Sequence, residues 1–343
     1  MQGNKILVTG GTGYIGSHTV VELQEAGFEV VIVDNLSNSE AEVVQRIAEI
    51  TGTEPKFYKA DMTAKDEVAT VFEQESHFAA AIHFAAYKAV GESVEKPLMY
   101  YENNLNSLMN LLWFAGQHKM QNLVFSSSCT VYGQPEQLPV TEKTPVIRPE
   151  APYGNTKRIS EEIIQDFTLV QENFSGIALR YFNPIGAHPS ALIGELPRGV
   201  PNNLVPFVTQ TAAGLRKQLK VFGDDYNTPD GTCIRDYINV VDLAKAHVAA
   251  INRQLAGKTK SNYEIFNLGT GKGASVLDVV KQFESATGVK LNYAMAPRRP
   301  GDVEQIYANA AYAEQELNWK AEKTLEETLA SAWEWEKKLR NML

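Results

Sequence analysis

The run Lys5-Ile6-Leu7-Val8-Thr9-Gly10-Gly11-Thr12-Gly13-Tyr14-Ile15-Gly16 constrains this chain more than any other stretch. A short apolar segment ends in a glycine cluster, and a helical pattern carrying Val20, Val21, Leu23 and Ala26 follows. The order predicts a strand, a tight turn and a helix N-terminus. Gly10, Gly13 and Gly16 allow positive φ and close backbone approach. The free N–H groups of the first helical turn favour a pyrophosphate there. A second apolar strand, Glu29-Val30-Val31-Ile32-Val33, ends at Asp34, placed where a carboxylate accepts hydrogen bonds from ribose hydroxyls. That acid repels a 2′-phosphate, and no Arg occurs in the following Asn35-Leu36-Ser37-Asn38, so the expected dinucleotide is NAD rather than NADP.

Composition narrows the partners. The formal net charge of -9 argues against nucleic acid, which needs a basic face. It leaves room for a phosphorylated small molecule, held by a few placed arginines. Cys129 and Cys233, the 2 cysteines, form neither a disulfide framework nor a metal site, and suit a reducing cytoplasm. No segment reads as a signal peptide or a membrane span.

Strand and helix patterns alternate through the first half, which predicts an α/β fold: a Rossmann-like, doubly wound parallel sheet. Residues 57–61 read as a third strand, ending in Asp61 where it meets an adenine edge. A helix over 65–74 follows, then a buried strand over 79–84 that continues into Ala85-Ala86-Tyr87-Lys88. His83, inside that strand, reads as a core histidine with no chemistry. A long helix over about 97–119 carries Asn103 and Asn104, and asparagine there needs a reason. The reason is either an exposed polar face or Asn103 reaching into a cofactor cleft. A fifth strand, 123–128, ends in Ser126-Ser127-Ser128 at the crevice side of the sheet. After a proline-rich loop, Tyr153-Gly154-Asn155-Thr156-Lys157 opens another helix, and 177–182 forms a sixth strand.

Beyond Asn183-Pro184 the texture changes, with many Pro, Gly and Asn residues as far as about Arg235. We therefore expect a dinucleotide domain over 1–183, with return segments near 236–270. A smaller, mainly substrate-binding lobe occupies 184–343. Within it, 236–240 reads as a strand returning to the main domain.

Ser128, Tyr153 and Lys157 are the candidate catalytic residues. Tyr153 and Lys157 lie one helical turn apart on one face. Ionising a tyrosine at neutral pH costs about 4 kcal/mol, and a nearby ammonium lowers that cost. An oxidised nicotinamide lowers it further. Tyr153 is then a phenol able to take a hydroxyl proton while hydride leaves, and Ser128 holds the same oxygen.

Gly10-x-x-Gly13-x-x-Gly16, Ser128 and Tyr153-x-x-x-Lys157 together resemble the extended short-chain dehydrogenase/reductase superfamily. Longer runs resemble its UDP-glucose 4-epimerase family: Gly16-Ser17-His18-Thr19, Asp34-Asn35-Leu36, Lys88 through Ser93, Arg180-Tyr181-Phe182-Asn183-Pro184, and Asp230-Gly231-Thr232 with Arg235-Asp236-Tyr237. Pro297-Arg298-Arg299 with Gly301-Asp302 belongs to the same set, and the likeness covers nearly the whole chain. It implies a cofactor site of Gly10, Gly13, Tyr14, Ile15, Gly16, Asp34, Asn35, Leu36, Ser37, Asn38, Asp61, Met62, Phe84, Ala85, Ala86, Lys88, Asn103, Ser128, Tyr153, Lys157 and Phe182. It implies a UDP-sugar site of Lys88, Ser128, Tyr153, Phe182, Asn183, Asn203, Leu204, Lys220, Val221, Phe222, Arg235, Arg299, Asp302 and Ile306. Paired arginine donors suit a pyrophosphate and Phe222 suits a flat uracil; the plainer reading of Arg235 and Arg299 is an ion pair with a nearby Asp.

The implied reaction interconverts UDP-glucose and UDP-galactose through a 4-keto sugar, with tightly bound NAD transiently reduced. Ile306 stands where the family places a residue that sizes the sugar pocket, so UDP-GlcNAc and UDP-GalNAc are a possible extension. Three rivals share the fold: a nucleotide-sugar 4,6-dehydratase, a UDP-glucuronate decarboxylase, and a redox-silent NAD-binding regulatory protein. The dehydratases usually carry acidic residues just after the serine strand, where this chain has Ser128-Cys129-Thr130-Val131-Tyr132-Gly133. The regulatory protein would have lost Tyr153 or Lys157. The resemblance also implies a homodimer, pairing the helices that start near Pro97 and Tyr153, with no metal.

Overall fold

The computed structural model describes residues 4–75, 77–299 and 302–342. In chain order, the first half holds β1 (Lys5–Thr9), α1 (Tyr14–Glu25), β2 (Glu29–Asp34), α2 (Glu42–Thr51), β3 (Lys56–Lys59), α3 (Lys65–Gln74) and β4 (Ala80–His83). It continues with α4 (Val90–Glu95), α5 (Pro97–Gln117), β5 (Asn122–Ser128), a 3₁₀ turn at Cys129–Tyr132, α6 (Pro152–Val170) and β6 (Ser175–Tyr181). The second half holds β7 (Asn183–Ile185), α7 (Leu204–Ala212), β8 (Leu219–Phe222), β9 (Ile234–Asn239), α8 (Val240–Leu255) and β10 (Tyr263–Leu268). Then come β11 (Gly273–Ser275), α9 (Val276–Thr287), β12 (Tyr293–Ala296), β13 (Gln305–Ile306), α10 (Ala311–Leu317) and α11 (Leu325–Leu339).

The main sheet has seven strands in the order β10-β6-β5-β4-β1-β2-β3. All its pairings are parallel. Alternation along each strand divides the core in two, as the pleat requires. Ile6, Val8, Val30 and Ile32 face α1 and α8 with Val20, Val21, Leu243 and Ile251. Leu7, Val31 and Val33 face α3, α5 and α6 with Val71, Leu108, Leu111 and Ile164. The strand order reverses between β1 and β4, and the crevice outside their C-terminal ends is where such sheets take ligands. A surface hollow lined by Phe72, Glu75, His77, His118 and Lys119 opens beside the start of β1, at the other end of the strands.

The second half builds a separate core from Val208, Val221, Val279, Phe283, Leu329 and Trp333. Two of its helices begin with reciprocal capping boxes, Ser275 with Asp278 and Thr324 with Glu327. The segment 236–240, expected as a strand returning to the main domain, lies in a sheet of its own. It is β9, the centre of a smaller sheet pairing β7, β11 and β13. The chain returns to the main sheet through α8 and β10 instead. The reason is Asp236, fully buried in β9, whose carboxylate accepts from Thr270 N and Oγ1, Gly271 N and Ala308 N. Those donors lie on loops next to the small sheet. The third strand also stops early, at Lys59, leaving Asp61 and Met62 in the loop beyond it.

Candidate active site

The glycine loop is locked by backbone contacts. Gly10 N donates to Val33 O at 2.8 Å and Gly13 N to Gly10 O at 3.1 Å. Gly10 has φ +72°, and a Cβ there would stand 2.8 Å from Ala85 N. A Cβ on Gly16 would collide with the carbonyl oxygen of Gly10. Helix α1 starts at Tyr14 without a side-chain cap, so its leading N–H groups are available to an anion. Ile15 packs into the core below, and Tyr14 Oη donates across the crevice to Gly186 O at 2.7 Å.

At the end of β2, Asp34 accepts from Thr12 N at 3.2 Å and Leu36 N at 2.9 Å. Leu36 takes φ +61°, a sharp turn that leaves Ser37 and Asn38 exposed. Asn35 Nδ2 donates to Asp61 Oδ2 at 2.9 Å. Asp61 also accepts from Thr63, and these hydrogen bonds hold its carboxyl below the usual range against the opposing effect of burial. Met62 is buried beside them. One carboxylate-lined edge is thus assembled from β2 and the loop after β3.

Phe84, Ala85 and Ala86 continue from β4, half-buried, along the crevice floor. The two asparagines of α5 have different roles. Asn104 is buried; its Oδ1 accepts from Tyr87 N at 2.8 Å, and its Nδ2 donates to Tyr87 O at 3.1 Å and Thr156 Oγ1 at 3.0 Å. Asn103 is half-buried and donates to Asn104 Oδ1 at 2.9 Å. Asn104 therefore ties the β4 loop to the first turns of α6. His83 is a satisfied core group, its Nδ1 2.7 Å from Thr9 Oγ1.

The three serines ending β5 each have a separate task. Ser126 O accepts from Lys157 Nζ at 2.6 Å, and Ser126 Oγ meets Tyr181 Oη at 2.5 Å. Ser127 Oγ donates to Glu161 Oε1 at 2.5 Å. Ser128 Oγ accepts from Thr130 N at 3.2 Å, turning the chain sharply after the strand. Tyr153 stands on the first turn of α6, and Lys157 Nζ lies 6.0 Å from its ring centre. Burial raises the Tyr153 phenol well above its ordinary value, opposed by its hydrogen bond with Ser128. Burial also lowers Lys157 to about 8, opposed by Glu161. Burial thus works against ionising the phenol.

The lobe supplies the opposite wall. Arg299 donates to both carboxylate oxygens of Asp302, at 3.0 and 3.2 Å, and Arg235 reaches the same carboxylate at 4.0 Å. The guanidinium of Arg299 lies 5.0 Å from the centre of the Phe222 ring. The plainer ion-pair reading of these arginines is therefore present here, and it also gathers them beside one aromatic ring. Pro300 and Gly301, within that loop, lie outside the described residues. Asn183 is half-buried on β7, and Leu204 begins α7 against the lobe core. Phe182 and Ile306 are buried together with Cys129, Val131 and Tyr132.

The Val221 side chain is fully buried in the lobe core, because alternation on β8 turns it inward, so its backbone is the part left to meet a ligand. Lys220, its neighbour, is exposed.

Sequence reading missed several residues. Glu195 Oε1 accepts from Lys88 Nζ at 3.3 Å and from Asn203 Nδ2 at 2.6 Å, bringing two of the expected site residues together. Trp335 is buried, as a packing residue should be, and donates to Glu195 O at 3.1 Å. Arg198 donates to Ser37 O at 2.9 Å and to Ser39 O, joining the lobe to the loop after β2. Glu161 and Arg180 form a buried ion pair behind Lys157. Arg180, a charge inside an apolar strand, was the available signal, since such a residue needs a partner.

The family model described as GDP-mannose 4,6 dehydratase matches residues 7–332. A UDP-glucose 4-epimerase of Bacillus subtilis is 50% identical over 331 residues, covering 96% of each chain. Among solved structures, a UDP-glucose 4-epimerase from Bifidobacterium longum, in complex with NAD+ and UDP, is 47% identical with a TM-score of 0.94. That match covers 99% of this chain and 100% of the other. A UDP-glucose 4-epimerase from Stenotrophomonas maltophila, with bound NAD and formylated UDP-arabinopyranose, is 45% identical with a TM-score of 0.95, covering 99% of both chains.

Proposed function

The chain belongs to the UDP-glucose 4-epimerase family of the extended short-chain dehydrogenase/reductases, and from that premise we propose how its residues divide the work. The reaction is NAD-dependent interconversion of UDP-glucose and UDP-galactose through a 4-keto sugar. The observation that carries the site assignment is the convergence of Ser128, Tyr153 and Lys157 at the C-terminal ends of β5 and α6's first turns, in the crevice that begins at the glycine loop.

The residues present fit a dinucleotide. Gly10 and Gly16 leave a cradle that a Cβ would obstruct, α1 offers uncapped N–H groups, and Asp34 ends β2. Residues 1–183, with α8 and β10, would hold it; the rest of 184–343 would hold the UDP-sugar. Bound there, NAD supplies a reversible hydride acceptor for C4 of the sugar.

Tyr153 takes the proton of the 4-hydroxyl and later returns it. Lys157 lends positive charge to the ionised phenol, and Ser128 donates a hydrogen bond to the same sugar oxygen. Burial raises the phenol, and its hydrogen bond with Ser128 opposes that rise. Arg235 and Arg299 exchange Asp302 for the pyrophosphate, and Phe222 lies beside the uracil. A firm hold on the nucleotide and a light one on the sugar let the keto intermediate turn its other face.

A 4,6-dehydratase reading gains nothing from the 3₁₀ turn after Ser128. Its first residue, Cys129, is buried, and its thiol is raised to about 12, so it offers no acid for eliminating water.

We also propose a homodimer. Leu98, Met109 and Trp113 on α5 and Leu169 and Val170 on α6 are exposed apolar side chains on the two helices expected to pair. Among the described residues no helix is long and apolar enough to cross a membrane, and the cytoplasm remains our proposed location.

The test is a coupled assay on UDP-galactose that reads UDP-glucose. Tyr153→Phe is expected to lose more than about 100-fold in kcat with UDP affinity intact. Near-normal turnover would refute the assignment. Running the N-acetylated pair in the same assay determines whether Ile306 admits it.

A further inference from the structure

The mechanism uses Lys157 as a cation, yet the fold buries it. Its residue exposure is 4%, and among the described residues its ammonium makes one hydrogen bond, to Ser126 O at 2.6 Å, with the Phe125 ring centre 4.9 Å away. An ammonium in such a place tends to lose its proton. Something must oppose that loss.

One helical turn further along α6 stands Glu161, also buried. Its carboxylate is fully engaged. Oε1 accepts from Ser127 Oγ at 2.5 Å and Arg180 Nε at 2.9 Å, and Oε2 accepts from Arg180 Nη2 at 2.5 Å. Arg180 is fixed in turn by Tyr132, whose Oη accepts from Nη1 at 3.0 Å and donates to Asn267 Oδ1 at 2.7 Å. Lys157 and Glu161 therefore grip successive residues of β5, one through the Ser126 carbonyl and one through the Ser127 hydroxyl.

We infer that Glu161, paired with Arg180 and clamped to β5 by Ser127, is a positioning residue that holds the buried Lys157 as an ammonium. This rests on the catalytic reading of Lys157. The groups facing Lys157 are few. On α6 they are Tyr153 and Glu161; on β4, His83, which is neutral; and on β5, the Phe125 ring. Arg180 and Tyr263 face Glu161 from β6 and β10. Among the described residues, Glu161 is the charged group that opposes the effect of burial on Lys157. Arg180 acts through Glu161: its bidentate guanidinium fixes the carboxylate in place.

The experiment titrates Lys157 directly in the NAD-loaded protein labelled with ¹³C at lysine Cε. The resonance missing from Lys157→Met identifies it. The wild-type midpoint is expected near the value of about 8 set by burial and Glu161. In Glu161→Gln the midpoint should fall by about one pH unit or more, and the pH profile of kcat should move to lower pH with it. Because Glu161→Gln leaves Arg180 buried without a counter-charge, the same titration is made on Glu161→Gln/Arg180→Met, where the downward shift should persist. An unchanged midpoint in the double variant overturns the inference, whether or not the single variant folds. Retention of turnover by Lys157→Met would instead refute the catalytic reading itself, so the two failures are distinguishable.

Discussion

Replacing Asn104 by Leu tests whether a buried amide, rather than a surface one, assembles the catalytic edge. Leucine keeps the branching and heavy-atom count of the asparagine side chain and removes every polar atom. Three hydrogen bonds to Tyr87 and Thr156 disappear, together with the one from Asn103. At about 1 kcal/mol net each, with a further penalty for Tyr87 backbone groups left unpaired, the loss is about 3–5 kcal/mol. Spread over 343 residues, the 3 kcal/mol end of that range lowers the thermal midpoint by about 4 °C. Thr156 stands between Tyr153 and Lys157 on α6, so the freed turn also misplaces the phenol. A displacement of that kind reduces kcat by about 10-fold or more. Urea unfolding of wild type and Asn104→Leu, with steady-state kinetics on UDP-galactose, gives both numbers. Asn103→Leu serves as comparison and should lose about 1 kcal/mol or less, since its amide makes one bond within the network. A loss under about 1 kcal/mol in Asn104→Leu, or equal losses in the two variants, would refute the reasoning.

Two further outcomes are expected. Arg299→Ala should raise the KM for UDP-galactose about 10-fold or more with little change in kcat, because a paired-donor contact to phosphate contributes about 1.5–3 kcal/mol; an unaltered KM would remove Arg299 from the site. Stability should fall with acid. Burial lowers His18 and His83 to about 3 and His247 to about 4. Unfolded, each ring binds a proton near pH 6.5, so the stability they contribute is intact above that value and is lost as pH falls below it. Glu22, raised to about 7 by burial, takes up a proton in the folded state over the same window and offsets one of the three. The remainder is about 3 kcal/mol per pH unit between pH 6 and 5. Urea midpoints at pH 7.5 and 5.5 check it, and a flat or rising midpoint toward acid would contradict it.

How much of this was legible beforehand follows the range of the interactions. The glycine loop, the strands of the first half and the Tyr153–Lys157 spacing depend on neighbours close in the chain, so local pattern reports them. Asn104 and Asn103 share a composition signal, but only packing against Tyr87 and Thr156 decides which one is buried. Strand β9 has an ordinary pattern, and its place in the second sheet depends on donors at Thr270, Gly271 and Ala308 reaching Asp236.

Sequence by itself determined the parallel sheet, the dinucleotide turn and the residue types that meet at the crevice. Those follow from periodicity, from glycine's lack of a Cβ and from one helical turn of separation. Tertiary structure alone decided the charge each group carries. Tyr153 is pushed toward its neutral form, and Lys157 remains within reach of neutral pH against Glu161. Protonation in a buried cleft is a sum over desolvation and over charges brought in by several separate elements, and no local stretch of chain contains that sum.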